Sequence, residues 1–155
     1  VAEPADRPNT IPWPPILFLG ALLAANAMRL LWPLSLDVAP MLRLFGGFVA
    51  VAALGIMGWA FLAFRAHQTS VLPHRRADAL IETGPFAFSR NPIYLSESVL
   101  LTGLGLVNGS VWYWLVIPLF MLAVTRLAIT REEAHLEARF GSAWRDYAAR
   151  VRRWV

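Results

Sequence analysis

The sequence predicts an all-α fold: an integral membrane helical bundle of about four transmembrane helices, followed by amphipathic C-terminal helices on the cytoplasmic side. Three observations lead there. Of 155 residues, 57% are hydrophobic and only 15% are charged, where a soluble domain has roughly 25% charged residues. Mean hydropathy is +0.52. The apolar residues gather into four runs, and the first two reach the about 20 helical residues that a bilayer core requires.

The first 15 residues form a polar, proline-rich lead-in ending Ile11-Pro12-Trp13-Pro14-Pro15. No basic segment precedes the apolar stretch, so a cleaved signal peptide is not expected. Residues 16–64 hold two spans. The first, Ile16 to Leu36, is interrupted by Asn26, Arg29 and Pro33; the second, Leu42 to Phe64, has no charge after Arg43. Residues 65–92 turn polar, with Arg65, His67, Arg75, Arg76, Asp78, Glu82 and Arg90. Residues 93–128 read as a helical hairpin, its two apolar runs joined at Asn108-Gly109-Ser110. From Ile129 to Val155 the pattern is amphipathic, Leu136, Phe140, Trp144, Tyr147, Val151 and Trp154 recurring at intervals of three or four. Gly141-Ser142 is expected to close one helix and cap the next. Trp13, Trp112, Trp114, Trp144 and Trp154 are expected in interfacial belts, and Gly103, Gly105 and Gly109 at close helix contacts. The whole reads as one domain.

All 14 basic residues are Arg, and the net charge is +4. Arg gathers in the 65–90 loop and from Arg126 onward, whereas the connections near 36–40 and 108–110 carry almost none. The positive-inside rule therefore places both termini and both polar segments in the cytoplasm, most simply at a bacterial inner membrane. The partner implied is the lipid bilayer, with its anionic headgroups. No nucleic acid is expected, since no basic face with interleaved aromatics lies outside the membrane-proximal segments. Cysteine is absent, which excludes thiolate chemistry.

Two clusters can carry chemistry. The first runs Thr83-Gly84-Pro85-Phe86-Ala87-Phe88-Ser89-Arg90-Asn91-Pro92-Ile93-Tyr94, with Arg90 at a membrane boundary and Tyr94 one turn deeper. The second is Arg131-Glu132-Glu133-Ala134-His135-Leu136, then Phe140-Gly141, Tyr147 and Val151-Arg152-Arg153-Trp154. Two carboxylates beside a membrane span are costly unless a cation faces them. Helical geometry sets Glu132 and Glu133 about 100° apart, so one is expected to face inward and the other elsewhere. Glu97, inside the third span, is a functional candidate because intramembrane carboxylates are rare. His67, His74 and His135 are the other possible bases. No metal site is expected, the histidines and acids lacking a metal-ligand spacing. Each residue also has an ordinary reading: Arg90 snorkelling to lipid phosphates, the glutamates on a solvated face with Arg131 and Arg139, Glu97 packing within the bundle, and Asn26 and Arg29 in an interhelical polar contact.

The order Gly-Pro-Phe-x-x-x-Arg-Asn-Pro-x-Tyr, a helical hairpin, Glu-Glu-x-x-Leu and Phe-Gly-x-x-Trp-x-x-Tyr resembles the isoprenylcysteine carboxyl methyltransferase and phospholipid methyltransferase superfamily. The likeness runs from Arg65 to Val155, and Gln68-Thr69-Ser70-Val71-Leu72-Pro73 is similar to the family's approach to this region. Eukaryotic members commonly have His where Asn91 stands; Arg-Asn-Pro is familiar among bacterial relatives. The resemblance implies S-adenosyl-L-methionine as cofactor and S-adenosyl-L-homocysteine as product. It implies a cofactor site built from Arg90, Asn91, Pro92, Tyr94, Glu132 and Glu133, with Glu97 and His135 as candidate catalytic groups. The acceptor implied is an amphiphilic small molecule arriving through the bilayer. An aminophospholipid headgroup such as phosphatidylethanolamine, methylated on nitrogen, is the leading expectation. Carboxyl methylation of an isoprenylated cysteine is the alternative within the class. A membrane reductase using a nicotinamide cofactor and a scaffold without chemistry are the alternatives outside it.

Overall fold

A computed structural model describes residues 13–67 and 79–155. The proline-rich lead-in before Trp13 and the stretch with Gln68–Pro73, His74, Arg75 and Arg76 lie outside the described residues. Among the described residues there is no strand. The helices are α1 (Trp13–Leu31), α2 (Pro40–Ala66), α3 (Pro92–Asn108), α4 (Trp112–Val124), α5 (Thr130–Phe140) and α6 (Ser142–Arg150). A 3-10 turn covers Gly84–Ala87, and a π-helical turn, Thr125–Ile129, joins α4 to α5. Proline opens α2 at Pro40 and α3 at Pro92, where a first-turn N–H has no intrahelical partner to lose. Gly109 closes α3 in the left-handed region (φ 59°, ψ 40°), its N–H reaching back to the carbonyls of Gly105 and Leu106.

Among the described residues, three helical stretches are long and apolar enough to cross a bilayer: Trp13–Leu31, Pro40–Ala66 and Trp112–Phe140. By that measure the protein is an integral membrane protein. The third stretch runs past Ala128: the chain continues through the π turn into α5 without a break. α3 has 17 residues, a rise of about 25 Å against a hydrocarbon core of roughly 30 Å. It is also the most enclosed helix, packed on α2 and α4 and touching α1, with Tyr94, Ser96, Glu97, Ser98, Leu101, Gly103 and Gly105 buried. Phe45, Phe48, Val51 and Leu62 of α2 stand exposed on the opposite side, as a surface solvated by lipid would.

The backbones of α2 and α3 meet at glycine. A Cβ on Gly103 would fall 2.7 Å from the Gly46 carbonyl oxygen and 2.8 Å from the Ala50 nitrogen, the close approach that small residues allow between membrane helices. α3 satisfies its serine, threonine and asparagine side chains on its own carbonyls: Ser96 donates to Ile93, Ser98 to Tyr94, Thr102 to Ser98 and Asn108 to Leu104. Asn26 accepts from the Tyr113 hydroxyl at 2.9 Å, tying α1 to α4.

The two ends of the bundle differ. At one, the α1–α2 and α3–α4 connections pair: Leu36 N–H donates to the Gly109 carbonyl (2.8 Å) and Val111 N–H to the Leu34 carbonyl (3.1 Å), with Ser35 and Ser110 in an antiparallel bridge. At the other, the loop before α3 is tied to the C-terminal segment. The Tyr147 hydroxyl donates to the Phe86 carbonyl at 2.8 Å, and Phe86 meets Phe64 of α2 edge-on at 5.3 Å.

Two tryptophans depart from the interfacial belt expected of them. Trp144 is enclosed, 5% exposed, and Trp114 packs against Gly105 while donating to the Thr102 carbonyl. Gly141 (φ 55°) does separate α5 from α6, but Ser142 is the first residue of α6 and no side chain caps it.

Gly103→Val should force α2 and α3 apart and lower the melting temperature in detergent, overpacking costing about 1–3 kcal/mol. Gly58→Ala, with open space around its Cβ, should leave the melting temperature unchanged or raised. Tyr147→Phe should cost about 1–3 kcal/mol by leaving the Phe86 carbonyl unsatisfied. Burial, more than the neighbouring charges of Arg90, Glu82 and Arg150, pushes the Tyr147 hydroxyl well above its ordinary value. The folded state therefore holds this proton more tightly than the unfolded state, whose tyrosine titrates near about 10. Its stabilisation is complete below that pH and is lost above it. A melting curve series from pH 9 to 11 should fall less steeply for Tyr147→Phe than for the wild type.

Candidate active site

The loop leading to α3 is bent by Gly84 (φ 63°) and Pro85 into the 3-10 turn, which sets Ser89, Arg90 and Asn91 against the C-terminal segment. Asn91 sits at the N-cap of α3 without capping it. Its side-chain amide donates instead to the Arg153 carbonyl at 3.0 Å, and its N–H donates to Ser89 Oγ at 3.1 Å. Ser89 Oγ donates to the same Arg153 carbonyl at 3.3 Å, and Arg90 N–H to the Arg152 carbonyl at 3.0 Å.

Arg90 is thereby aimed at α5. Its Nη1 lies 3.2 Å from Glu133 Oε1, and its guanidinium stands 5.6 Å from the centre of the Trp144 ring, a cation–π geometry worth about 2 kcal/mol where water is excluded. Arg153 grips the same carboxylate at two points, Nε to Oε1 at 3.1 Å and Nη2 to Oε2 at 2.5 Å. The side chains of Arg90 and Glu133 are each 16% exposed, whereas the Arg145–Glu137 pair is 62% and 52% exposed. Pairs of the exposed kind contribute about 0–1 kcal/mol; the enclosed Arg90–Glu133 contact and the forked Arg153–Glu133 pair are the stronger and more directional. The hydrogen bonds that Arg153 donates to Glu133 raise its guanidinium further above its ordinary value, so it is charged throughout.

Glu132 faces a different neighbour. Its carboxylate accepts from the Tyr94 hydroxyl, 2.9 Å to Oε1 and 3.2 Å to Oε2. The 100° between adjacent helical residues thus serves two partners, Tyr94 for Glu132 and the arginines for Glu133. The π turn makes this register. A turn of this kind takes in one extra residue, rotating the downstream helix by about 100°. Ala128 and Ile129 within it pack against Tyr94, and Thr125 Oγ1 donates to the Met121 carbonyl beside it.

Glu97 lies three residues beyond Tyr94 on α3, 7% exposed and within electrostatic reach of the Tyr94 hydroxyl. Its Oε2 is buried with no hydrogen-bond partner, as is Nε of Arg90. Pro92, the first residue of α3, is buried beside Asn91. The predicted residues Arg90, Asn91, Pro92, Tyr94, Glu132 and Glu133 therefore come to one end of the bundle, with Glu97 next to them. His135 follows Glu132 by three residues on α5 and is half-buried. His67 closes α2, exposed, its Nδ1 2.9 Å from the Ala63 carbonyl; His74 lies outside the described residues. Among the described residues, no three His, Asp or Glu side chains form a group able to hold a metal ion.

Sequence reasoning does not place Arg153, Trp144 or Ser89 among the site residues. Nothing in the chain distinguishes Arg153 from the other arginines of the tail, and its partners are separated from it by tens of residues.

The phospholipid methyltransferase family matches this chain over residues 39–143, which includes α2 to α5 and every predicted site residue. An uncharacterized protein of Haemophilus influenzae is 38% identical over 63 residues, 41% of this chain and the whole length of that protein. The nickel-cobalt-cadmium resistance protein NccN of Alcaligenes xylosoxydans xylosoxydans is 33% identical over 77 residues, half of this chain and 36% of that protein. No solved structure matches. With the family match covering well over half of its length, the chain belongs to the phospholipid methyltransferase family.

Proposed function

We propose that the protein transfers a methyl group from S-adenosyl-L-methionine to an amphiphilic acceptor in the membrane, the amine of an aminophospholipid headgroup such as phosphatidylethanolamine. One observation carries this reading: Arg90, Tyr94, Glu132 and Glu133 converge at the end of α3, with the carboxylate of Glu97 adjacent and unpaired. As part of the proposal, the chain is a single domain that crosses the membrane four times, α3 being the short crossing. The Arg-rich end, both termini and the C-terminal helices are cytoplasmic, by the positive-inside rule.

The residues fit the cofactor by charge. S-adenosylmethionine carries a sulfonium, an ammonium and a carboxylate, one net positive charge. The cluster sets two guanidinium groups, Arg90 and Arg153, against three carboxylates, Glu97, Glu132 and Glu133, one net negative charge if all ionise. Buried polar atoms without partners, such as Arg90 Nε and Glu97 Oε2, are uncommon unless something else satisfies them. Arg90 would hold the carboxylate, and Glu132 a ribose hydroxyl or the ammonium. Tyr94, Asn91 and Pro92 would shape the wall. Glu133, with both oxygens engaged by arginine, would orient those cations rather than touch the ligand. When bound, the cofactor supplies an electrophilic methyl group.

The protein's own work is alignment, exclusion of water and removal of a proton. An ammonium headgroup has no lone pair until it loses a proton. Glu97, enclosed on the inner face of α3, is placed to accept it; His135 is the second candidate base. The acceptor reaches the site laterally from the bilayer.

S-adenosylhomocysteine should raise the melting temperature of the detergent-solubilised protein, by about 2.7 kcal/mol of added stability at a hundredfold excess over Kd. NADPH should not. No shift at saturation would defeat the proposal. Glu132→Gln should weaken S-adenosylhomocysteine binding; normal binding would remove Glu132 from the ligand. Glu97→Gln should lower turnover by about 10²–10⁴-fold, the range of general base catalysis, with little change in cofactor affinity; unchanged turnover would leave Glu97 a packing residue. Radiolabelled methyl transfer into total membrane lipid, measured beside transfer to prenylcysteine analogues, separates the amine acceptor from the carboxylate one.

A further inference from the structure

Glu133 is shared unequally by its two arginines. Arg153 holds it at both oxygens, through Nε at 3.1 Å and Nη2 at 2.5 Å, while Arg90 reaches it through Nη1 alone, at 3.2 Å. A guanidinium and a carboxylate favour a forked, two-point pair, which Arg153 makes with Glu133 and Arg90 does not. The consequence of the unequal sharing is that Arg90 retains donors: its Nε is buried and bonded to nothing.

We infer that Arg153 is a positioning residue, which occupies Glu133 so that Arg90 is left with open donors facing the cofactor's carboxylate. This rests on the reading of the cluster as a cofactor site. Three further contacts suit Arg153 to the task. Its own carbonyl is held by Ser89 Oγ and the Asn91 amide, and the neighbouring Arg152 carbonyl is held by the N–H of Arg90 itself. The segment that carries Arg153 is thus fixed through its backbone to the loop that carries Arg90, so the spacing of the two backbones from which the guanidinium groups reach Glu133 is set independently of either side chain. Trp144, beneath Arg90, limits the swing of that guanidinium without consuming a donor. Arg150, in the same tail, pairs with Glu82 at 2.6 Å in an exposed contact and has no part in this.

Removing the Arg153 side chain leaves the backbone contacts in place but frees Glu133 to close on Arg90 with both oxygens. Arg153→Gln should therefore weaken S-adenosylhomocysteine binding by about tenfold, the scale of a charge-assisted hydrogen bond. Adding Glu133→Gln to Arg153→Gln should bring the affinity back towards the wild-type value, because no carboxylate remains to capture Arg90. A tail that merely stabilised the fold would give no such recovery, and the second substitution would deepen the loss. Arg150→Gln should bind as the wild type does. If Arg153→Gln does not yield folded protein, Arg153→Lys, which keeps the charge but not the two-point grip, should show a smaller loss with the same recovery. The measurement is isothermal titration of the full chain in detergent with S-adenosylhomocysteine. Wild-type affinity in the Arg153 variants, or a loss that the Glu133 substitution does not recover, overturns the positioning role while leaving the proposed function standing. A wild-type protein that does not bind S-adenosylhomocysteine overturns the proposed function itself.

Discussion

The candidate site depends on one carboxylate held between two cations. Glu133 stands on α5, Arg90 on the loop before α3 and Arg153 near the end of the chain, so a single ion cluster joins three segments that are distant in sequence. In water such pairs contribute little. At the edge of a bundle, with two of the three side chains only 16% exposed, leaving one member unpaired is costly. That cost, together with the backbone bonds from Ser89, Arg90 and Asn91 to the carbonyls of Arg152 and Arg153, keeps the C-terminal segment against the loop.

The membrane-facing part has a different logic. α3 is short and rich in small and hydroxylic residues, and it survives in an apolar setting because those hydroxyls return to its own carbonyls and because Gly46 and Gly103 let the α2 backbone come close. Glu97 is the exception on this helix, a buried carboxylate with an oxygen that nothing satisfies. An uncompensated polar atom at such a place is the kind of local violation that a fold retains for use. The exception and the ion cluster are linked through Tyr94, whose hydroxyl reaches Glu132.

The π turn Thr125–Ile129 connects these two regimes. It lets one continuous helical stretch serve first as an apolar span and then, rotated by the additional residue, as the strut that carries Glu132 and Glu133. Pro118 inside α4 and the Thr125 hydroxyl bond to Met121 are further local departures from a regular helix on the approach to that turn.

Composition and periodicity by themselves determined the helical class, the apolar runs, the tight turn at Gly109 and the polar segments in which the site lies. These are properties of short windows, governed by the length of a bilayer crossing, by glycine's access to positive φ and by proline's lack of an N–H. The motif residues from Arg90 to Glu133 were legible for a second reason, since their order resembles a known family. Tertiary structure decided the rest. That both glutamates have partners outside their own helix, that Trp144 lies beneath a guanidinium rather than at an interface, and that Arg153 is the arginine opposite Glu133 all depend on contacts spanning from 20 to 62 residues. Many arginines in a tail are equivalent in sequence; only the fold, by fixing one carbonyl against Ser89 and Asn91, makes one of them different.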